Sequence, residues 1–126
     1  MAEAVKYAAI VFGIAAGLVG TFHGYNETLQ GSVTPSSVFI NAIGPPCKGS
    51  GCFPAMTLIP DFLAAGVVTI VISLVVLVWS VGFIQRPRAW LVLIVLSIVQ
   101  LLVGGGYLPP ALGLVSGILA IRIKRT

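Results

Sequence analysis

Two cysteines and a histidine–glutamate pair are the side chains whose types and spacing could do chemistry in this sequence. Cys47 and Cys52 are separated by four residues, in a segment rich in glycine and proline. Outside the cytoplasm such a pair persists as a disulfide, and a glycine-rich ring of this size closes without strain. We therefore predict a structural disulfide that staples a loop too small to have a core of its own.

A redox-active pair is the alternative interpretation of these cysteines. Lys48 lies next to Cys47 and could favour the reactive thiolate form. Catalytic dithiols usually have two intervening residues rather than four, so the spacing favours the structural interpretation.

His23 and Glu27 are four residues apart and share one face of the first apolar segment. A glutamate near the carboxyl end of a helix opposes the helix dipole, which suggests a partner such as His23, Lys48 or another chain. An ionisable residue at a membrane is a hypothesis of function. Because Glu27 follows Tyr25, an interfacial type of residue, we expect it in headgroup water, with a polar site as the alternative.

Metal and cofactor binding are not indicated by these residues. His23, Glu27, Cys47 and Cys52 could in principle surround a zinc ion, but nothing in their spacing demands it. The chain has one histidine, so a haem with two axial histidines would need two subunits. We predict no metal and no cofactor.

The composition indicates a membrane protein. Of the 126 residues, 58% are hydrophobic and 8% are charged, with a mean hydropathy of +1.11. Soluble domains carry roughly 25% charged residues, so this chain cannot cover a water-exposed surface. The net charge is +4, but no basic stripe with interleaved aromatics exists, which argues against nucleic-acid binding.

Apolar runs predict a single transmembrane domain over residues 1–126. We expect an all-α four-transmembrane-helix bundle with one disulfide-stapled external loop at 31–57. The first run lacks a convincing cleavage site and is predicted to remain as a helix. Since the last run is short, three spans plus a re-entrant hairpin is the alternative. The predicted spans are about 7–29, 61–84, 89–104 and 110–123.

The basic residues predict the orientation. Six of the seven lysines and arginines flank the apolar runs, while Lys48 lies in the long loop. The six are separated from one another by an even number of membrane crossings, so they lie on the same side of the membrane. The positive-inside rule then places both termini in the cytoplasm of a multi-pass cell-membrane protein. These six residues are Lys6, Arg86, Arg88, Arg122, Lys124 and Arg125.

Glycines recur at helical spacing in the first and last spans. Small residues on one face allow helices to approach closely in lipid, either within the chain or between chains. The predicted packing residues are Gly13, Gly17, Gly20, Gly24, Gly113 and Gly117.

Three stretches resemble those of small prokaryotic four-span membrane proteins of uncharacterised function. They are Ala-Ile-Gly-Pro-Pro-Cys at 42–47, Pro-Ala-Met-Thr-Leu-Ile-Pro at 54–60 and Leu-Val-Gly-Gly-Gly-Tyr-Leu-Pro-Pro at 102–110. The resemblance covers most of the chain and implies an architecture rather than an activity.

Two other four-span families fit less well. The bacterial disulfide-bond oxidases carry Cys-x-x-Cys and a second cysteine pair, which this chain lacks. Small multidrug exporters need a carboxylate deep in the first helix, whereas Glu27 is expected near the surface.

Two hypotheses of function follow. The leading one is a non-catalytic accessory or structural subunit, whose partners are membrane lipid and either other membrane subunits or copies of itself. The alternative is a thiol-redox protein that uses Cys47 and Cys52, or a small transporter that uses His23 and Glu27.

Overall fold

Four helices and one short β-ribbon make up the described part of the chain. The computed structural model describes residues 2–29, 31, 39–41, 54–104 and 106–123. The predicted all-α class with four helices is confirmed, with the addition of one antiparallel pair of three-residue strands. In chain order the elements are α1 (Ala2–Leu29), β1 (Phe39–Asn41), β2 (Pro54–Met56), α2 (Phe62–Gly82), α3 (Ala89–Val103) and α4 (Leu108–Ile121).

Local capping chemistry sets the helix ends. Asp61 is the N-cap of α2, where its side chain accepts a hydrogen bond from the backbone N–H of Ala64 at 3.3 Å. Gly104 ends α3 with a φ of 113°, a conformation that glycine adopts without strain. The first helical turn of α4 contains Pro109 and Pro110, so this helix begins at Leu108, two residues before its predicted start at 110. A proline in the first turn loses no donor that the helix needs.

Two of the helices, α1 and α2, are long and apolar enough to cross a membrane. Only 28% and 33% of their most apolar windows are buried within the bundle, which distinguishes them from the core helices of a soluble protein. The other two helices are apolar but shorter, at about 22 Å for α3 and about 21 Å for α4.

The helices form a ring in which α1 packs against α2 and α4, and α3 packs against α4 and α2. We call the two ends of this bundle the basic end and the loop end. At the basic end an apolar cluster includes Ala9, Ile84 and Ile123, close to the basic residues Lys6 and Arg86. The loop end contains the carboxyl end of α1 and the turn between α3 and α4.

All six predicted packing glycines face another helix of the same chain. Gly13, Gly17 and Gly20 lie against α2 side chains, and Gly113 and Gly117 lie against α3. The seams are therefore occupied by contacts inside the bundle.

Two glycine backbones lie against each other where α1 meets α2 at the loop end. A Cβ on Gly24 would lie 2.8 Å from the Gly66 carbonyl oxygen, and a Cβ on Gly66 would lie 2.6 Å from the Gly24 carbonyl oxygen. Both distances are too short for a real carbon–oxygen contact, and neither backbone can move aside as a flexible side chain would. Any side chain at either position must push the two helices apart.

We expect Gly24→Ala and Gly66→Ala each to lower the stability of the detergent-solubilised protein by about 1–3 kcal/mol, because they overpack this contact. Thermal unfolding followed by tryptophan fluorescence measures the effect. Gly82→Ala is the matched control, since a Cβ at Gly82 meets nothing within 4 Å. Equal melting temperatures for all three variants would contradict the proposed close contact.

Candidate functional site

Many polar side chains are buried inside the bundle, beside its apolar core residues. Nine described polar or charged side chains are buried, each at most 3% exposed. On α2 and α3 they recur at spacings of three, four and seven residues, which places them on the inward faces of these helices. They are His23, Glu27, Thr57, Thr69, Ser73, Ser80, Ser97, Gln100 and Ser116.

The buried serines nearest the basic end have their hydrogen bonds satisfied. Ser80 and Ser97 each donate to the carbonyl four residues earlier in their own helix, at 2.8 and 2.7 Å. Ser116 of α4 donates instead to the carbonyl of Ala9 in α1, at 2.6 Å. These contacts give the three serines a structural role.

Gln100 links three helices at the centre of the bundle. Its side-chain amide nitrogen donates to Ser73 Oγ of α2 at 2.8 Å and to the Ala16 carbonyl of α1 at 3.3 Å. The second bond crosses the diagonal of the ring, between helices that otherwise make little contact. Gln100 thus forms interhelical hydrogen bonds, as buried amides in membrane proteins do. Gly20 leaves the space that this amide fills.

Glu27 is fully buried at the loop end. Its carboxyl group lies against Gly104, where a Cβ would be 2.6 Å from Oε1 and 3.1 Å from Oε2. Among the described residues neither carboxyl oxygen has a hydrogen-bond partner. The expectation that Glu27 lies in headgroup water is therefore wrong for this structure. Since Glu27 stands three residues after Gly24, it continues the glycine seam and must face the interior with it.

The position of this carboxyl group is electrostatically unusual. The carboxyl ends of α1 and α3 both lie close to it, and each carries a partial negative charge. A buried ionised carboxylate is costly without a counter-charge or hydrogen-bond donors. Glu27 therefore fits a site that takes up positive charge better than it fits a purely structural position.

His23 lies one turn closer to the centre on the same face of α1. It is 3% exposed, and its ring packs against Gly106, where a Cβ would lie 2.5 Å from Cε1 and 2.8 Å from each ring nitrogen. Gly104 and Gly106 both have positive φ, at 113° and 84°. The turn between α3 and α4 thus presents bare backbone to the two ionisable side chains that the sequence singled out.

The segment before α2 closes the loop end over α3. The Leu58 N–H donates to the Leu102 carbonyl at 2.9 Å. The hydroxyls of Thr57 and Thr69 both donate to the Val103 carbonyl, each at 3.1 Å. Carbonyls at the end of a helix have no partner within it, so these bonds hold the end of α3 in place beside Glu27.

Several of the predicted site residues lie outside the described residues. Cys47, Cys52 and Lys48 are among them, as is most of the loop at 31–57. The disulfide therefore stays a prediction. Within the described residues no group of three or more His, Cys, Asp or Glu side chains could hold a metal ion.

Sequence reasoning missed the partners that surround His23 and Glu27. No site role was assigned to Gly66, Thr69, Gly104 or Gly106 from the sequence. A signal was present: small or polar residues recur along α2 at 66, 69, 73 and 80, which is the spacing of one helix face. In a helix with apolar residues elsewhere, such a stripe indicates the side that faces other helices.

We expect Glu27→Met to raise the free energy of unfolding by about 1–3 kcal/mol, because it replaces a buried carboxyl group that has no described partner with an apolar side chain of similar volume. Thermal unfolding in detergent measures the change. Glu3→Met is the matched control on the exposed first turn of the same helix. A lower melting temperature for Glu27→Met would mean that the carboxyl group has a stabilising partner in the folded protein.

Comparison with known proteins gives no family for this chain. No protein-family model matches it, and neither the curated proteins nor the solved structures contain a match. Its function is therefore inferred from the buried polar groups and the apolar exterior.

Proposed function

We propose that this chain is a four-span membrane protein with both termini in the cytoplasm, and that it acts as a non-catalytic accessory or structural subunit of a membrane complex or homo-oligomer. One observation carries this proposal: apolar side chains cover the outside of the bundle, while nine described polar or charged side chains are buried inside it. A soluble four-helix bundle has the opposite distribution.

The apolar exterior extends over all four helices. Val11 of α1 is 63% exposed, Val78 of α2 is 58% exposed, and Val95 and Ile118 on the other two helices are each about half exposed. An apolar surface that surrounds a bundle needs an apolar solvent, which the hydrocarbon of a bilayer supplies.

The antiparallel packing supports four crossings over three crossings with a re-entrant hairpin. At the loop end the α3–α4 turn packs on His23, and at the basic end Ser116 bonds to Ala9. The short helices α3 and α4 thus extend along most of the apolar length of α1. A bilayer thinner than average, or arginines that extend to the surface, accommodates their length.

The basic end is proposed to face the cytoplasm. Lys6, Arg86 and Arg122 lie beside the helix ends there, and Lys124 and Arg125 follow in the sequence. With both long helices crossing, the positive-inside rule assigns this end to the cytoplasm.

A subunit role is favoured by the closed interior. Along α1 the helices touch through Gly13, Gly17, Gly20 and Gly24, and a Cβ at any of these positions would meet a neighbouring helix. Within the described helices, these glycine contacts bring α1 into direct packing with its neighbours. The surfaces through which such a protein can act are its outer faces, where it contacts lipid, other subunits or copies of itself.

One reporter fusion tests topology and assembly together. Green fluorescent protein fused after Thr126 is expected to fluoresce in cells, because its position is cytoplasmic. A fusion cut after Gly31 is expected to be dark, because the reporter is exported unfolded. Size-exclusion chromatography of the full-length fusion in mild detergent, followed by native mass spectrometry, should give a mass larger than one chain. A dark full-length fusion would overturn the topology, and a monomer without partners would overturn the subunit role.

A small transporter is the second candidate, favoured by the burial of Glu27. A carboxyl group without described partners, at the end of a polar interior, is suited to take up a proton or another small cation. The thiol-redox alternative depends on Cys47 and Cys52, which lie outside the described residues, and it stays a prediction.

Proteoliposomes loaded with a pH-sensitive dye test the transport candidate. If Glu27 carries the proton, an imposed pH gradient should dissipate faster with the wild-type protein than in protein-free vesicles. Glu27→Gln should abolish the difference, since an amide cannot exchange the proton, while Glu3→Gln should retain it. Equal rates for wild-type and protein-free vesicles would remove this candidate in its proton form.

A further inference from the structure

We propose that a cavity at the basic end, between α1 and α2, binds the anionic headgroup of a membrane phospholipid. The inference rests on the proposed membrane embedding and orientation. The cavity has a volume of about 470 Å³ and is lined by side chains of both helices and of the turn after α2. Its lining includes Lys6, Tyr7 and Ile10 of α1, and Ile84, Gln85 and Arg86 after α2.

The donors that line this cavity match a phosphate group. Lys6 provides an ammonium group, Arg86 a planar guanidinium group, and Gln85 a neutral amide. The two cations come from different segments, so an anion between them would be held from two sides. The chain has three acidic residues, and none of them is among those that line the cavity.

Both cations lie beside aromatic rings. The Lys6 Nζ is 5.6 Å from the centroid of the Tyr7 ring, and the Arg86 guanidinium carbon is 5.7 Å from the centroid of the Phe83 ring. Such contacts are attractive and favour positions near the ring faces. Tyrosine at a membrane–water interface marks the depth of the headgroups, which is where a lipid phosphate would be.

An acyl chain has a place next to the same site. A second cavity of about 350 Å³ lies on the apolar face of α2, and its lining includes Val75, Val78, Trp79 and Phe83. Phe83 also lies under the guanidinium group of Arg86, so this residue joins the charged cavity to the apolar one. A phospholipid has both parts, whereas a free phosphate ion would use only the first.

The charge pattern selects an anionic lipid over a zwitterionic one. A choline headgroup would bring its own positive charge close to Lys6 and Arg86. Glycerol or serine headgroups leave a net negative charge, and basic sites on the cytoplasmic side of membrane proteins bind such lipids.

Native mass spectrometry with added lipid tests this site. We expect the wild-type protein to retain phosphatidylglycerol in preference to phosphatidylcholine with the same acyl chains. The double variant Lys6→Gln/Arg86→Gln should lose about tenfold or more in apparent affinity for phosphatidylglycerol, since each cation near the surface contributes severalfold. Arg122→Gln is the matched control, because Arg122 is exposed at the same end and does not line the cavity. The conservative variant Lys6→Arg/Arg86→Lys should keep the preference.

Three outcomes would overturn the inference. The first is equal retention of the two lipids by the wild-type protein. The second is an equal loss of phosphatidylglycerol affinity in Arg122→Gln and in the double variant. The third is displacement of the lipid by millimolar glycerol phosphate, which would indicate a site for a soluble anion. Melting temperatures of the variants separate a lost site from a lost fold. If the fluorescent fusion is membrane-bound with a cytoplasmic carboxyl end but shows no lipid preference, the lipid site fails alone. A soluble fusion would refute both proposals.

Discussion

The contact between Gly24 and Gly66 is the constraint on which the rest of the bundle depends. Two helices cannot approach more closely than when their backbones touch. This contact therefore fixes the distance between α1 and α2 at the loop end. One turn earlier on the same face of α1, Gly20 leaves the space in which Gln100 reaches across the ring to Ala16 and Ser73. In a lipid environment, apolar burial gives little net drive for helices to associate, so close packing and interhelical hydrogen bonds must supply it.

The same constraint accounts for the distribution of polar groups. Where helices meet through glycine, small hydroxyl side chains fit beside several of the contacts, and Ser73, Ser80 and Ser116 fill these places. Most of them are satisfied by carbonyls within the bundle. Glu27 and the amide oxygen of Gln100 depart from this rule among the described residues, and Glu27 does so where its carboxyl group packs against glycine backbone of the α3–α4 turn. Local exceptions of this kind are where function is expected.

The sequence predicted the four helices because their apolar runs are strong local signals. It misplaced Glu27 because position along a span was given more weight than helical phase. The seam of Gly17, Gly20 and Gly24 already pointed inward, and Glu27 shares its phase. The contacts with Gly104 and Gly106 could not be predicted, because they depend on how a distant turn folds over α1.

In the proposed membrane embedding, the unequal lengths of the helices affect the thickness of the surrounding bilayer. The side of the molecule formed by α1 and α2 presents a tall apolar wall, since α2 alone rises about 31 Å. The opposite side, formed by α3 and α4, presents a wall about 10 Å lower. A bilayer that meets both walls must be thinner on one side of the protein than on the other, so each molecule imposes a gradient of thickness on its lipid neighbours. Two such molecules lower the free energy of this bilayer deformation when their short sides lie together. The lipid therefore influences which faces of the protein associate.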